Sequence, residues 1–508
     1  MWPVKTLARS LFLFASSLAA INAHCANGSD ELFENSIRPT LVASCYECHG
    51  KKAAENGLRV DSRRGLLDGG DTGPAIVPGN AEDSLLIKAI RRSHDDLQMP
   101  PDTALPKHVV ADFERWINQG AHWPEDQTFE NAGADHWAFQ PIKQPNPQSA
   151  QPHPIDKFIA ATWADHDLTP VDLADARTLV RRIYFDLVGL PPTPEQMARH
   201  IQELDAGHDA AWASLIDELL DRPQYGERWG RHWLDVARYA DTAGDNADYP
   251  IPEAYLYRDY VIDSFNEDKP YDQFVREQIA GDMLAADGPR DQYAEQVIAT
   301  GFLALSRRYA TGPYELWHLT LEDTIDTVGQ AFMGMTLRCA RCHDHKFDPI
   351  RQQDYYALYG IFDSTQYPWA GAEEFHSQKT PRLHFASLLP KSEAEPLRDA
   401  FQKTLHNIDS AHDETKAALH AAKLRGYPDD VPSGYGTSEG KPHSVHVHKS
   451  GDSSKPGDLV PRGVPEFLPI SRPTVPDGES GRRQLADWLT QPDHPLTARV
   501  MVNRIWQH

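Results

Sequence analysis

The sequence predicts a mainly α-helical protein, and three observations carry that expectation. Apolar residues recur every three or four positions, as at Phe33, Ile37 and Leu41 or at Leu321, Ile325, Val328 and Phe332. Helix punctuation stands beside such runs: in Thr193-Pro194-Glu195-Gln196, Thr193 suits an N-cap, Pro194 the first turn and Gln196 the far side of a capping box. A hydrophobic content of 40% over 508 residues is enough for real cores. At about 150 residues per domain, that length suggests two to four domains.

Charge narrows the function. Lys and Arg total 50 against 74 Asp and Glu, a net charge of -24. Nucleic acid and anionic membrane surfaces need clustered cations, so neither is an expected partner. The N-terminus reads as an export signal over residues 1–23. Lys5 and Arg9 precede a short apolar run from Leu11 to Ile21, with cleavage after Ala23 or Ala26. The run is short for a membrane span, although an uncleaved anchor is the alternative, and bulky His24 argues against a lipid on Cys25. No later segment is apolar enough to span, so the expectation is an exported protein of the periplasm or cell envelope without an integral membrane span.

The first module is expected over 29–124. Phe33, Ile37 and Leu41 predict a helix, kinked or restarted at Pro39. Gly65 to Gly79 reads as a glycine-rich loop with turns at Asp68-Gly69-Gly70 and Pro78-Gly79. Ser84 to Arg91 reads as a helix carrying Leu85, Leu86, Ile87 and Ile90. A last helix carries Val110, Phe113, Trp116 and Ile117 and stops at Gly120.

The first helix leads into Cys45-Tyr46-Glu47-Cys48-His49, and Cys339-Ala340-Arg341-Cys342-His343 repeats the pattern deep in the chain. Four of the five cysteines sit in these two pentapeptides. Cys-x-x-Cys-His is the attachment pattern of a c-type haem. Each thiol can form a thioether to a haem vinyl group, and the adjoining imidazole can ligate the iron. Met99 is the natural sixth ligand of the first site, on a loop stiffened by Pro100 and Pro101. A thioether opposite an imidazole favours ferrous iron and raises the reduction potential. The alternative for Met99 is a core filler.

The first module resembles the planctomycete-type cytochrome c domain. The resemblance rests on Asn56-Gly57-Leu58-Arg59-Val60-Asp61-Ser62, Gly69-Gly70-Asp71-Thr72-Gly73-Pro74, Val77-Pro78-Gly79, Met99-Pro100-Pro101 and Trp116-Ile117-Asn118-Gln119-Gly120-Ala121. It implies a small, all-helical, class I-like cytochrome c fold. A linker rich in Pro, Gln and Asn follows over 125–153, with His136-Trp137-Ala138-Phe139 as a docking segment.

A larger helical module is expected over 154–369. Leu179, Ile183 and Leu187 form a stripe closed by Gly189, and Trp212, Leu215, Ile216 and Leu219 continue the helical pattern. His232 and Asp235 share a helix face, as do Asp235, Arg238 and Tyr239. That grouping is an acid/base or ligand cluster, or, the blander reading, an ion-paired helix packed by Trp233 and Val236. The second pentapeptide continues as Asp344-His345-Lys346-Phe347-Asp348-Pro349. Together with Ala237-Arg238-Tyr239-Ala240-Asp241, Tyr257-Arg258-Asp259, Pro270-Tyr271-Asp272-Gln273-Phe274 and Glu277-Gln278-Ile279-Ala280-Gly281-Asp282, this run is similar to the DUF1549-type cytochrome-associated domain. The resemblance predicts architecture better than chemistry.

The second motif keeps three readings open. Cys339, Cys342 and His343 are a haem site, with His318, Met333 or Met335 in the other axial position; or zinc or non-haem iron is held by Cys339, Cys342, His343, His345 and Asp348; or the thiols form a reversible disulfide.

Beyond Trp369, Leu397, Phe401, Leu405, Ile408, Thr415, Leu419 and Ala422 predict an amphipathic helical arm within 370–427. A loop-rich region with short strands follows over 428–484, flexible at 428–441. In Ser444-Val445-His446-Val447-His448, strand alternation puts His446 and His448 on one face, with His443 nearby; an exposed face is preferred to a metal site there. Residues 485–508, with Leu485-Ala486-Asp487-Trp488-Leu489 and Ala498-Arg499-Val500-Met501-Val502-Asn503-Arg504-Ile505-Trp506, resemble the start of a DUF1553-type domain, as in a truncated chain.

The leading expectation is an exported c-type cytochrome that carries electrons, served by the haem c maturation machinery and a redox partner protein. Its helical second module has an uncertain redox or catalytic role. The alternatives are a metal-dependent hydrolase or lyase centred on His343, His345 and Asp348, with an accessory cytochrome, and an envelope binding or scaffold protein that uses the helical arm.

Overall fold

The computed structural model describes residues 32–50, 54–93, 97–101, 104–123, 136–143, 153–244, 248–251, 253–309, 316–345, 347–370, 382–406 and 431–508. The expected export signal, much of the linker and residues 407–430 of the expected arm lie outside them. The fold is mainly α-helical, as the sequence predicts. The chain divides into two units, residues 1–128 and 129–508.

In the first unit the opening helix begins as a π-turn, Phe33–Ile37, and restarts as the α-helix Arg38–Ser44. Pro39 sits in the first turn of the restarted helix, where its missing N–H costs nothing. Phe33, Ile37 and Leu41 are fully buried. They share a core with Leu66, Ile87, Phe113, Trp116 and Ile117, so both ends of the module close on one set of side chains. The Trp116 ring lies 5.6 Å from Phe33, and its Nε1–H donates to His122 O at 2.6 Å. The last helix, Lys107–Asn118, is the one the sequence predicts. The glycine-rich stretch is only partly a loop. Arg63–Asp68 is helical because Ser62 Oγ caps Gly65 N–H at 3.1 Å and Leu66 is fully buried; Gly69, at φ 73°, ends it.

In the second unit, helices Ala176–Leu187, Pro194–Ala206 and His208–Leu220 pack around Val180, Tyr184, Leu204, Leu215 and Leu219. The capping box of Thr193 and Gln196 forms as expected. The main core gathers Pro223–Val236, Ala254–Asn266, Tyr271–Asp287, Trp317–Val328, Gln352–Asp363 and Arg482–Leu489. Trp233 lies inside it, with Nε1–H donating to Tyr257 Oη at 3.0 Å and its ring 4.9 Å from Phe274. Phe139 is buried against Phe467, 5.2 Å between rings, so the His136–Phe139 segment does dock within this unit.

Sheet structure is confined to four two-stranded antiparallel pairs among the described residues. One pairs Val445–His448 with Pro456–Val460, and its register shifts between His446 and His448. The shift separates the two histidines that alternation placed together. His446 stays exposed, while His448 turns against Tyr356 and Tyr359 at ring distances of 5.1 and 5.5 Å. The expected Asp235, Arg238 and Tyr239 face does not form either, because the helix ends at Val236. Arg238 lies beyond it at φ 55° and pairs with Asp323, and Tyr239 donates to Asp241 at 2.5 Å. His232 and Asp235 both lie within that helix, and the His232 ring also stacks on His508, 3.8 Å between rings.

Candidate functional site

The first Cys-x-x-Cys-His folds as a single turn, Tyr46–His49, entered from the buried helix. His49 N–H donates to Cys45 O at 2.8 Å, and His49 O accepts from Val60 N–H at 2.9 Å. These bonds tie the turn to the segment that carries Leu58 and Val60. Cys45 and His49 line a cavity. Most of the other wall atoms are apolar, from Leu58, Val60, Ala75, Leu85, Leu86, Ala89, Ile90 and Leu97. Cys48, on the same turn, is half-buried. Burial, with a smaller contribution from Cys48, pushes the Cys45 thiol up to about 11.

Met99 lines the same cavity from a separate segment. Its N–H donates to Ala89 O at 3.0 Å, so the loop hangs from the helix Leu85–Ile90. Arg92, at φ 55°, holds the loop from outside: its Nη2 donates to Pro100 O and, at 3.0 Å, to Pro101 O. The sequence reading missed Arg92. The left-handed backbone that aims its side chain leaves no sequence signal, since Arg is not a residue that favours it.

The cavity suits a c-type haem. It is lined by the Cys45 thiol, an imidazole, a thioether and mostly apolar walls, with Cys48 on the same turn but outside the lining. His49 Nδ1 is buried with no hydrogen-bond partner among the described residues, so the ring is not committed to a protein-only network.

The second motif has the same spelling and different surroundings. Arg338–Arg341 forms a short 3₁₀ turn after the helix Trp317–Val328 and the π-turn Gly329–Met333. Cys339, Cys342 and His343 are exposed. Both arginines of the turn reach one buried carboxylate, Glu322, at 2.6 Å from Arg338 and 2.5 Å from Arg341. Arg341 Nη2 also donates to Gly451 O at 2.8 Å, and Arg341 O accepts from Gln352 Nε2 at 2.9 Å and Tyr356 Oη at 3.1 Å. The turn is therefore rigidly held while its thiols face outward.

His343 Nδ1 lies 2.6 Å from Asp344 O, which fixes the tautomer and leaves Nε2 as the lone-pair nitrogen. His345 does something else. It is buried, and its Nδ1 accepts from Asp348 N–H at 2.9 Å, shaping the turn at Phe347-Asp348-Pro349. Burial first, then His343, lowers its pKa against the opposing pull of Asp348. Among the described residues no group of three or more His, Cys, Asp or Glu side chains stands at metal-holding separation. The structure thus leaves Cys339, Cys342, His343, His345 and Asp348 unassembled as a zinc or iron cluster. Met333 and Met335 are buried at 2% and 6% exposure and line a cleft that Cys339, Cys342 and His343 do not line. His318 is half-buried on the same helix as Glu322, its pKa lowered by burial and then by Arg341.

A small helical unit that gathers a Cys-x-x-Cys-His turn and a methionine loop around one apolar cavity is the arrangement of a cytochrome c-like domain. The comparisons agree on that class and extend it. Residues 45–103 match the family model of the planctomycete cytochrome C, residues 154–367 match a protein family of unknown function (DUF1549), and residues 481–508 match a second family of unknown function (DUF1553). The three follow one another in the order that the motifs predict. No curated protein and no solved structure matches the chain. Among the described residues no helix is long and apolar enough to cross a membrane.

Proposed function

We propose that the chain is an exported c-type cytochrome that carries electrons to or from a redox partner protein. One observation carries the reading: Cys45, His49 and Met99, from two segments fifty residues apart in sequence, line one apolar cavity. Cys45 and Cys48 would hold the haem through thioether bonds, and His49 and Met99 would hold its iron. When bound, the haem supplies one-electron chemistry. The chain's own part is to exclude water with Leu58, Val60, Leu86 and Ile90 and to hold Met99 in place through Ala89 and Arg92. A dry site disfavours net charge, and a thioether ligand favours the ferrous form; both raise the potential.

Expression in a host with haem c maturation, followed by intact mass and pyridine haemochrome absorbance, tests this. One covalent haem per chain, lost in Cys45→Ala, is expected at the first motif. No covalent haem would overturn the reading. The same count reads the second motif, where Cys339, Cys342 and a pre-oriented His343 offer the same attachment chemistry at the surface. A second haem, lost in Cys339→Ala, gives them that role; a count of one leaves them as thiols.

A further inference from the structure

An open cleft lies in the second unit. Its walls come from the turn at 330–336, Phe347 and Asp348, the segment His136–Phe139 and the helix Thr497–Gln507. Two of its lining side chains are arginines, and neither pairs with a carboxylate among the described residues. Arg499 Nη1 donates to Ala138 O and Gln140 O, both at 2.8 Å, and to Pro495 O at 3.0 Å. Arg504 donates to Ala331 O at 3.2 Å from both Nη1 and Nη2, and weakly to Gln330 O. Backbone carbonyls orient these guanidiniums without neutralising them. Asp348 is the single acidic residue of the lining, and its carboxylate lies 3.3 Å from His345 Nδ1. In a chain of net charge -24, a cleft with two uncompensated arginines runs against the general field. The remaining lining is mixed: polar His136, Gln330, Thr336, Asn503 and Gln507 stand beside an apolar group in which Phe139, Met333 and Met335 are buried while Trp137 and Phe347 stand exposed, at 68% and 65%.

We propose that this cleft binds a small organic anion, a carboxylate on an apolar body. A carboxylate supplies a charged acceptor, which the backbone carbonyls bonded to Arg499 and Arg504 are not, in the charge-assisted geometry that guanidinium favours. The methionines adapt to the apolar body, and the exposed rings of Trp137 and Phe347 lie beside it. The cleft adjoins the second motif through Phe347 and Asp348, four and five residues after His343. The proposal does not depend on haem at either motif.

The test is calorimetric titration of the full chain with benzoate, with benzyl alcohol and acetate as controls. Benzoate is expected to bind saturably, about tenfold or more tightly than benzyl alcohol, with affinity falling as salt rises. Thr336→Glu places a carboxylate in the cleft without removing a hydrogen bond. It should weaken benzoate about tenfold or more and leave benzyl alcohol unchanged, because like charges then face each other. Asn503→Asp, on the exposed side of the C-terminal helix, makes the same test should Thr336→Glu not fold. Equal affinity for benzoate and benzyl alcohol, no saturable binding, or indifference to both variants would overturn the proposal.

Discussion

Replacing Arg92 with alanine tests how the Met99 loop is held. One guanidinium nitrogen serves two carbonyls, Pro100 O and Pro101 O, from a partly exposed side chain. A hydrogen bond to a charged group contributes about 1.5–3 kcal/mol when buried, so sharing and exposure reduce the pair to about 1–2 kcal/mol together. Losing it shifts the loop's opening equilibrium by roughly 5–30-fold. In haem-loaded protein, external imidazole competes with Met99 for the iron, so its apparent dissociation constant should fall by that factor, followed by visible absorbance. Arg92→Gly separates contact from strain. It loses the same bonds but relieves a left-handed backbone, φ 55°, that costs a side chain about 1 kcal/mol. Arg92→Gly should therefore unfold at higher urea than Arg92→Ala while competing equally well with imidazole. Unchanged imidazole affinity in Arg92→Ala, or an Arg92→Gly no more stable than it, refutes the clamp.

Three further changes probe the rest of the molecule. Gly69→Ala puts a Cβ 1.9 Å from Gly73 O at φ +73° and should cost about 2–4 kcal/mol in urea unfolding, whereas Gly73→Ala, with no neighbour within 4 Å, should lose only the backbone strain. Glu322→Gln leaves Arg341 unpaired at 16% exposure and should cost about 2–4 kcal/mol, with iodoacetamide alkylation of Cys339 and Cys342 becoming faster; an unchanged rate means the turn is held by its other bonds. His494 is buried and its pKa falls to about 4, so between pH 6.5 and 4 the unfolded chain binds the extra proton and stability drops as pH falls, by about 3 kcal/mol in all. His494→Phe should flatten that part of the pH–stability curve, and an equal slope in both proteins counts against it.

What could be read from sequence, and what could not, follows the range of the interactions. Helices with a single apolar stripe were legible, because burial of Phe33, Ile37 and Leu41 or of Leu321, Ile325, Val328 and Phe332 depends on a local repeat. The capping box at Thr193 was legible for the same reason. Ser62 was overlooked as a cap because the glycines after it read as a loop, yet burial of Leu66 outweighs Gly65's poor helix propensity. The failed faces share one cause. Arg238 belongs to a distant carboxylate, Asp323, and His448 to a helix some ninety residues earlier, and neither pairing has a period that a sequence displays. The first site was legible through its motif and its Met-Pro-Pro loop, while its outer clamp, Arg92, was not.

The two pentapeptides show why a motif alone does not specify a site. Both place two thiols and an imidazole within five residues, so local chemistry cannot tell them apart. After His49 the chain brings apolar side chains back over the turn, and a cavity lies between them. Around Cys339 the neighbours are charged: Arg338 and Arg341 converge on Glu322, and the turn is locked from behind by Gln352 and Tyr356. Gly451 presses close enough that a Cβ there would lie 2.4 Å from Cys342 Sγ, so one thiol of the second pair is crowded while Cys339 is open. Cys45 is half-buried at the first motif, whereas Cys339 and Cys342 are exposed at the second.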